Sequence, residues 1–115
     1  MRIEVSKGEL IDKITILEIK ADRVIDEVKL RNICHELDIL TGYEFETPYK
    51  KDLKLVNSVL WDLEDGIRKN EEEGNFGDEF IEKARNIYKY NDERSRIKKM
   101  INLEHGSDII EEKSY

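Results

Sequence analysis

The sequence has little of what interrupts helices or locks a small fold covalently. It contains one proline and six glycines in 115 residues, so long stretches run without a helix breaker. A single cysteine, Cys34, allows no intramolecular disulfide, which favours a reducing compartment. The N-terminus has no apolar run of signal-peptide length, and no segment is long enough to span a bilayer. We therefore expect a helical, cytoplasmic protein that does not enter the membrane.

Basic clusters are also scarce. The formal net charge is −7, and the short basic groups at 50–51 and 96–99 have acids nearby. A protein that binds nucleic acid through its phosphates needs a basic face. The composition therefore argues against a nucleic-acid partner.

The sequence does have regular apolar spacing. Charged residues make up 41% and apolar residues 38%, and the apolar ones recur every three or four positions. This spacing indicates amphipathic helices rather than disorder. We predict an all-α fold, an up-and-down antiparallel bundle of three to four long helices with coiled-coil-like packing, in one domain over residues 1–115.

Capping residues and turns set the predicted helix boundaries. Ser6 and Glu9 have the spacing of a capping box, and Asp26 can cap a second helix. The heptads also run straight through Asp26, so a single long helix to about Leu40 is the alternative. The predicted helices span about Lys7–Ile25, Asp26–Leu40, Pro48–Glu73 and Phe76–Leu103.

The apolar seam of the fourth predicted helix turns polar halfway along. It reads Phe80, Ala84, Ile87, Asn91, Arg94, Lys98 and Ile101. Because buried polar groups are costly unless paired, this seam either leaves the core or lines a polar site. A short turn joins the third and fourth helices, so they should pack as an antiparallel hairpin on which polar stripes of both meet. The candidate ligand-binding residues are Asn57, Trp61, Glu64, Arg68, Arg85, Tyr88, Asn91, Arg94 and Lys98.

Three interpretations of these stripes remain open. The first is an internal network, for example Glu64 with Arg85 and Asn57 with Arg94. The second is a site without catalytic residues or cofactor for a small polar or anionic ligand, of the nucleotide or sugar-phosphate type, or for a protein partner. Arginine side chains would bind phosphate or carboxylate, asparagines would supply directed hydrogen bonds, and Trp61 and Tyr88 would stack on the ligand.

The third interpretation is a Mg²⁺-dependent all-α nucleotide pyrophosphohydrolase. It would use two pairs of carboxylates, each one helical turn apart. These residues are Asp62, Asp65, Glu79 and Glu82.

Nucleophilic catalysis has little support in the sequence. We expect Cys34 to be a small core residue of the second helix and not a dyad with His35, which points elsewhere on a helix. His105 is best interpreted as a helix C-terminal cap. The apolar stripes are wide for so small a chain, and we predict a homo-oligomer that buries the excess.

Several strings resemble a family of short, uncharacterised helical proteins of bacteria and tailed phages. They are Gly8–Lys20, Leu60–Arg68, Phe76–Gly77, Ala84–Arg85, Asn91–Asp92 and Glu111–Tyr115. The resemblance covers nearly the whole chain and implies a freestanding single-domain protein, but it implies no activity. It also draws attention to the end of the chain, Lys113–Tyr115, which can either fold back over the hairpin and close a site or fray as chain ends usually do. Ile109 and Ile110 favour docking of the tail.

Overall fold

The computed structural model describes residues 1–112 and contains four helices. They are α1 (Lys7–Arg23), α2 (Glu27–Thr41), α3 (Lys50–Glu73) and α4 (Asp78–Glu104). No strand occurs within residues 1–112, and the helices pack against one another. The predicted all-α bundle is confirmed. The predicted tail contact of Lys113–Tyr115 lies outside the described residues.

The helix boundaries follow local capping chemistry. The Ser6 hydroxyl accepts from the Glu9 amide at 3.1 Å, and the Asp26 carboxylate accepts from the Lys29 amide at 2.9 Å. Asp26 is therefore an N-cap, and the predicted break between the first two helices is confirmed. The second half of the predicted capping box is absent from the described contacts, because the Glu9 carboxylate binds Lys98 instead. Gly74 ends α3 in the left-handed conformation at φ 65°.

The first helix is the centre of the bundle. It packs against α2, α3 and α4, while α3 and α4 form the long antiparallel hairpin that the sequence predicts. The main core brings together one residue of α1 with apolar residues of the hairpin. Its buried members are Ile11, Leu53, Val56, Leu60, Ile97 and Ile101.

The backbones of α1 and α4 come unusually close at Gly8. A Cβ atom there would lie 2.4 Å from the Lys98 carbonyl oxygen and 3.0 Å from the Asn102 side-chain oxygen. Instead the Gly8 amide donates to that Asn102 oxygen at 2.6 Å. Glycine thus permits the contact between the two helices, which brings the polar part of the α4 seam against α1.

The second helix lies at the periphery. Among the four described helices it packs only against α1, and none of its residues is buried. Cys34 is exposed, so its prediction as a core residue is wrong. The physical reason is that a helix with a single neighbour buries only the stripe that faces that neighbour, and Cys34 lies beside this stripe.

The molecule is less compact than a typical monomer of its size. Its radius of gyration is 15.8 Å, whereas a compact chain of this length would have about 13 Å. Its accessible surface is 8186 Å², whereas a typical monomer of this mass exposes about 6,600 Å². Among the described residues, no helix is long and apolar enough to cross a membrane.

Candidate functional site

A buried carboxylate, Asp12, organises the polar groups where α1 crosses the hairpin. Its side chain is only 1% exposed. The Arg94 Nε donates to Asp12 Oδ1 at 2.9 Å, and the Arg94 Nη2 donates to Asp12 Oδ2 at 2.5 Å. This forked geometry matches both donors to both oxygens. The hydrogen bonds to Asp12 also raise the pKa of Arg94 further above its ordinary range, so the guanidinium stays charged.

Two further side chains complete the shell around Asp12. The Asn57 Nδ2 donates to Asp12 Oδ1 and to the Thr15 hydroxyl, both at 2.9 Å. The Thr15 hydroxyl in turn donates to the Asp12 carbonyl at 2.7 Å. Asn57 and Thr15 are themselves buried. Three helices therefore contribute to one closed set of hydrogen bonds, which fixes the position of the Arg94 guanidinium.

The network extends through Lys98 to the C-terminal segment. The Lys98 Nζ contacts Glu9 at 2.7 Å, Glu111 at 3.5 Å and Asp12 at 3.9 Å. Burial lowers the pKa of Lys98, but the hydrogen bond to Glu9 and the charges of Asp12, Glu9 and Glu111 outweigh burial and raise it. Glu111 also accepts from the Ser6 hydroxyl at 2.6 Å, which ties the residues after α4 to the start of α1.

A cavity of about 300 Å³ lies beside the Asp12–Arg94 pair, between α1, α3 and α4. It contains six of the nine candidate residues from the sequence: Asn57, Trp61, Glu64, Arg68, Asn91 and Arg94. Its remaining lining residues are Ile16, Ile19, Leu60 and Asp65. The two polar stripes of the hairpin therefore do meet, and α1 closes the third side. We call this space the hairpin cavity.

The Trp61 ring is held in place from outside the hairpin cavity. The Arg23 guanidinium lies over the ring at 5.7 Å from its centroid and also binds Asp62 at 2.5 Å. A cation over an indole face is an attractive contact. The arrangement fixes the position of a flat aromatic wall beside the polar groups.

The other three candidate residues lie elsewhere. Tyr88 and Lys98 line a second groove of about 640 Å³ along α4, which shares Asn91 and Arg94 with the hairpin cavity. Arg85 lines a third depression with Lys89 and does not join the others. Its placement with Arg94 on one stripe is wrong, because nine residues of an α-helix amount to a rotation of about 180°.

The predicted internal pairs also differ from those observed. Asn57 and Arg94 do not bind each other but both bind Asp12, a residue that the sequence analysis missed. Glu64 and Arg85 make no hydrogen bond or ion pair within residues 1–112. A signal for Asp12 was available, because Gly8, Asp12 and Thr15 are spaced by four and three and so share one face of α1.

The four carboxylates of the magnesium interpretation are not gathered into one site. Asp62 binds Arg23, and Glu79 binds Lys83 at 2.8 Å. In the described part of the chain, no group of three or more potential metal ligands comes together. His105 is the C-cap residue of α4, as predicted, and its ring lies 4.7 Å from that of Phe45.

Comparison with known proteins gives one match. A family model described as a family of unknown function (DUF6165) matches residues 1–115. No curated protein and no solved structure matches the chain. The match extends over the full chain, but it brings no ligand or reaction with it.

Proposed function

We propose that this chain, which belongs to the DUF6165 family of unknown function, is a non-enzymatic protein that binds a small polar ligand in the hairpin cavity. The observation that carries the proposal is the buried Asp12, which holds Arg94 at the cavity wall. A fixed guanidinium beside an aromatic ring and an amide is an arrangement that recognises ligands.

An internal network alone does not account for the lining of the cavity. Asp12, Arg94, Asn57 and Thr15 form a closed set of hydrogen bonds that would suffice to join α1, α3 and α4. Glu64, Asp65 and Arg68, however, line the cavity without a hydrogen bond or ion pair to any residue of 1–112. Asn91 lines the cavity in the same way. These free groups are what a ligand would use, and they support binding over a purely structural role.

The cavity also offers few groups for covalent chemistry. Its lining, as described for residues 1–112, consists of aliphatic, aromatic, amide, carboxylate and guanidinium side chains. Serine, cysteine and histidine, which most often act as nucleophile or base, are not among them. We therefore favour binding over catalysis.

The test is a ligand screen read on the protein itself. A ¹⁵N-labelled sample is titrated with a library of nucleotides, sugars, sugar phosphates, amino acids and small carboxylates. We expect at least one class to shift the amides of the cavity residues and to raise the melting temperature; a ligand at one hundred times its Kd stabilises by about 2.7 kcal/mol. If no library compound shifts these amides, the proposal is overturned.

The choice of variant decides what this screen can show. Arg94→Ala would leave the buried Asp12 charge without its main partner, so a loss of binding could reflect a damaged fold. Asn91→Ala and Arg68→Ala remove lining groups that have no described partner. They should weaken binding with little change in stability. Lys89→Ala, on α4 but outside the hairpin cavity, is the matched control.

We also propose that the chain forms a homo-oligomer. The surface exceeds that of a typical monomer by about 1,600 Å² per chain, and obligate dimers bury on the order of 2,000–5,000 Å² in total. The outer part of α4 carries exposed apolar side chains, Ile81 at 46% and Tyr88 at 57%, with Phe76 just before the helix at 53%. A second copy that covers this surface would remove the excess.

A further inference from the structure

The charge balance of the hairpin cavity disfavours an anionic ligand. The charge of Arg94 is neutralised by Asp12. Of the other charged lining residues, Arg68 is a cation, whereas Glu64 and Asp65 are carboxylates. None of these three has a hydrogen-bond or ion-pair partner within residues 1–112. A phosphate placed here would therefore meet two uncompensated carboxylates for one available cation, and like charges brought together cost free energy.

The same groups suit hydroxyl groups well. The Glu64 and Asp65 carboxylates only accept, so they can accept hydrogen bonds from neighbouring hydroxyls. Arginine has five N–H donors, and Arg94 uses two of them on Asp12, which leaves the others for a ligand oxygen. The Asn91 amide can both donate and accept. The wall thus offers both donors and acceptors, as a ring carrying several hydroxyl groups requires.

The apolar part of the wall matches the faces of such a ring. Trp61 provides a flat surface whose position is fixed by Arg23, and Ile16, Ile19 and Leu60 extend the apolar lining. The C–H groups of a saturated sugar ring can pack on an indole face while its hydroxyls point to the rim. At about 300 Å³, the cavity is at the lower end of the range for ligand pockets, which suits one ring better than a nucleotide.

We infer that the hairpin cavity binds an uncharged monosaccharide ring, through Glu64 and Asp65 as hydroxyl acceptors, Arg94 and Asn91 as donors and Trp61 as the packing surface. This inference rests on the proposed binding function and narrows its ligand to one chemical class. The sugar phosphates and nucleotides expected from the sequence are then the alternative ligands, and the inference predicts that they bind more weakly.

Matched pairs of ligands test the inference directly. Trp61 is the only tryptophan, so its fluorescence reports on the cavity without labelling. The full chain is titrated with glucose, galactose, mannose and N-acetylglucosamine, and separately with the 6-phosphate of each. We expect at least one neutral sugar to change the fluorescence and to bind at least tenfold more tightly than its own phosphate.

Charge-removing variants supply the second measurement. Glu64→Gln combined with Asp65→Asn keeps the side-chain shapes but removes both negative charges. The double variant should bind the neutral sugar at least tenfold more weakly and the sugar phosphate more tightly, so that the selectivity reverses. Glu72→Gln, an exposed acid of α3 that does not line the cavity, should change neither affinity.

The possible failures are distinguishable. Tighter binding of the phosphates in the unmodified chain overturns the sugar assignment and leaves the binding function standing. The sugar assignment is also overturned, and the binding function still stands, if neither the neutral sugars nor their phosphates bind but the wider library yields a ligand of another class. If no library compound binds, both proposals fall.

Discussion

Asp12 and Arg94 are 82 positions apart in the chain, yet they form a forked pair at 2.9 and 2.5 Å with Asp12 almost fully buried. Charges removed from water are costly, and a forked partner with two further hydrogen-bonded groups offsets that cost. The pair joins α1 to α4, and its Arg94 member lines the hairpin cavity. Stability and the proposed ligand binding would therefore both depend on this pair.

Asp12→Asn should destabilise the protein strongly. The substitution keeps the volume but leaves the Arg94 charge unpaired and places an NH₂ group against donors, and we expect a loss of about 3–5 kcal/mol. Denaturant unfolding followed by circular dichroism measures it. Asp22→Asn, an exposed position of the same helix, should stay within about 0.5 kcal/mol of the unmodified chain. Equal midpoints for the two variants would contradict the assigned role of Asp12.

Replacing both partners separates stability from recognition. Asp12→Leu together with Arg94→Met removes both charges, and apolar replacements of a buried pair often restore stability. We expect a free energy of unfolding well above that of Asp12→Asn, combined with a loss of ligand binding. A double variant that binds as tightly as the unmodified chain would show that Arg94 does not contact the ligand.

Gly8→Ala should destabilise although alanine favours helix. The added methyl group would lie 2.4 Å from a backbone carbonyl of α4, so the helices must separate. Overpacking of this kind costs about 1–3 kcal/mol. Gly66→Ala is the matched control: its Cβ would meet only the flexible Lys83 side chain at 3.2 Å. The control should be neutral or stabilising by up to about 1 kcal/mol, and the reverse order of melting temperatures would disprove the close approach.

Lys98 should make stability depend on alkaline pH. Its pKa is raised above the ordinary 10.5, so its stabilising charge is fully present below that value and is lost as pH rises through the folded-state pKa. The difference in unfolding free energy between the unmodified chain and Lys98→Met should therefore shrink above pH 10.5. Lys50, whose pKa is also raised but which pairs with Glu18 and Glu44, provides the comparison through Lys50→Met.

That comparison has two parts. The difference in unfolding free energy between the unmodified chain and Lys50→Met should also shrink above pH 10.5, because the pKa of Lys50 is raised as well. Ligand binding, however, should be unaffected in this variant, because Lys50 pairs with Glu18 and Glu44 away from the hairpin cavity. A Lys98→Met difference that stays constant from neutral to strongly alkaline pH would show that the ammonium charge contributes nothing to stability.

Self-association should be visible by size-exclusion chromatography with light scattering. We expect a mass of at least twice the chain mass of 13.7 kDa. Ile81→Lys should lower this mass by placing a charge on the exposed apolar part of α4. Leu55→Lys, at a side chain of α3 that is 64% exposed, should leave the mass unchanged. A clean monomer for the unmodified chain would refute the oligomer.

The features that local chemistry determines were predictable from the sequence. Ser6 and Asp26 cap helices through their own side chains, and Gly74 ends a helix because glycine readily adopts the left-handed conformation. The helix ends at these three residues therefore agree with the prediction. The hairpin followed from its apolar repeat and short turn. Its polar stripes converge largely as expected, since most of the candidate residues line one cavity.

What could not be predicted depends on which helix lies opposite. Asp12 is one of 27 acids, and its spacing from Gly8 and Thr15 places it on one face of α1 without indicating which helix covers that face. Its role appears only when the Gly8 contact brings α4 within reach. Arg85 lies apart from Arg94 for a simpler reason: repeated steps of three residues drift around the helix, so a stripe with this spacing does not stay on one face.

The peripheral position of α2 has a dynamic consequence. Since none of its residues is buried, and since its ties to α1 include the half-exposed Lys13–Glu36 pair, detaching it exposes less apolar surface than separating the other helices. The amide hydrogens of α2 should exchange with solvent through a local opening, whereas those of α1, α3 and α4 should exchange only on global unfolding. The proposed ligand binding where α1, α3 and α4 cross would then be insulated from motions of α2.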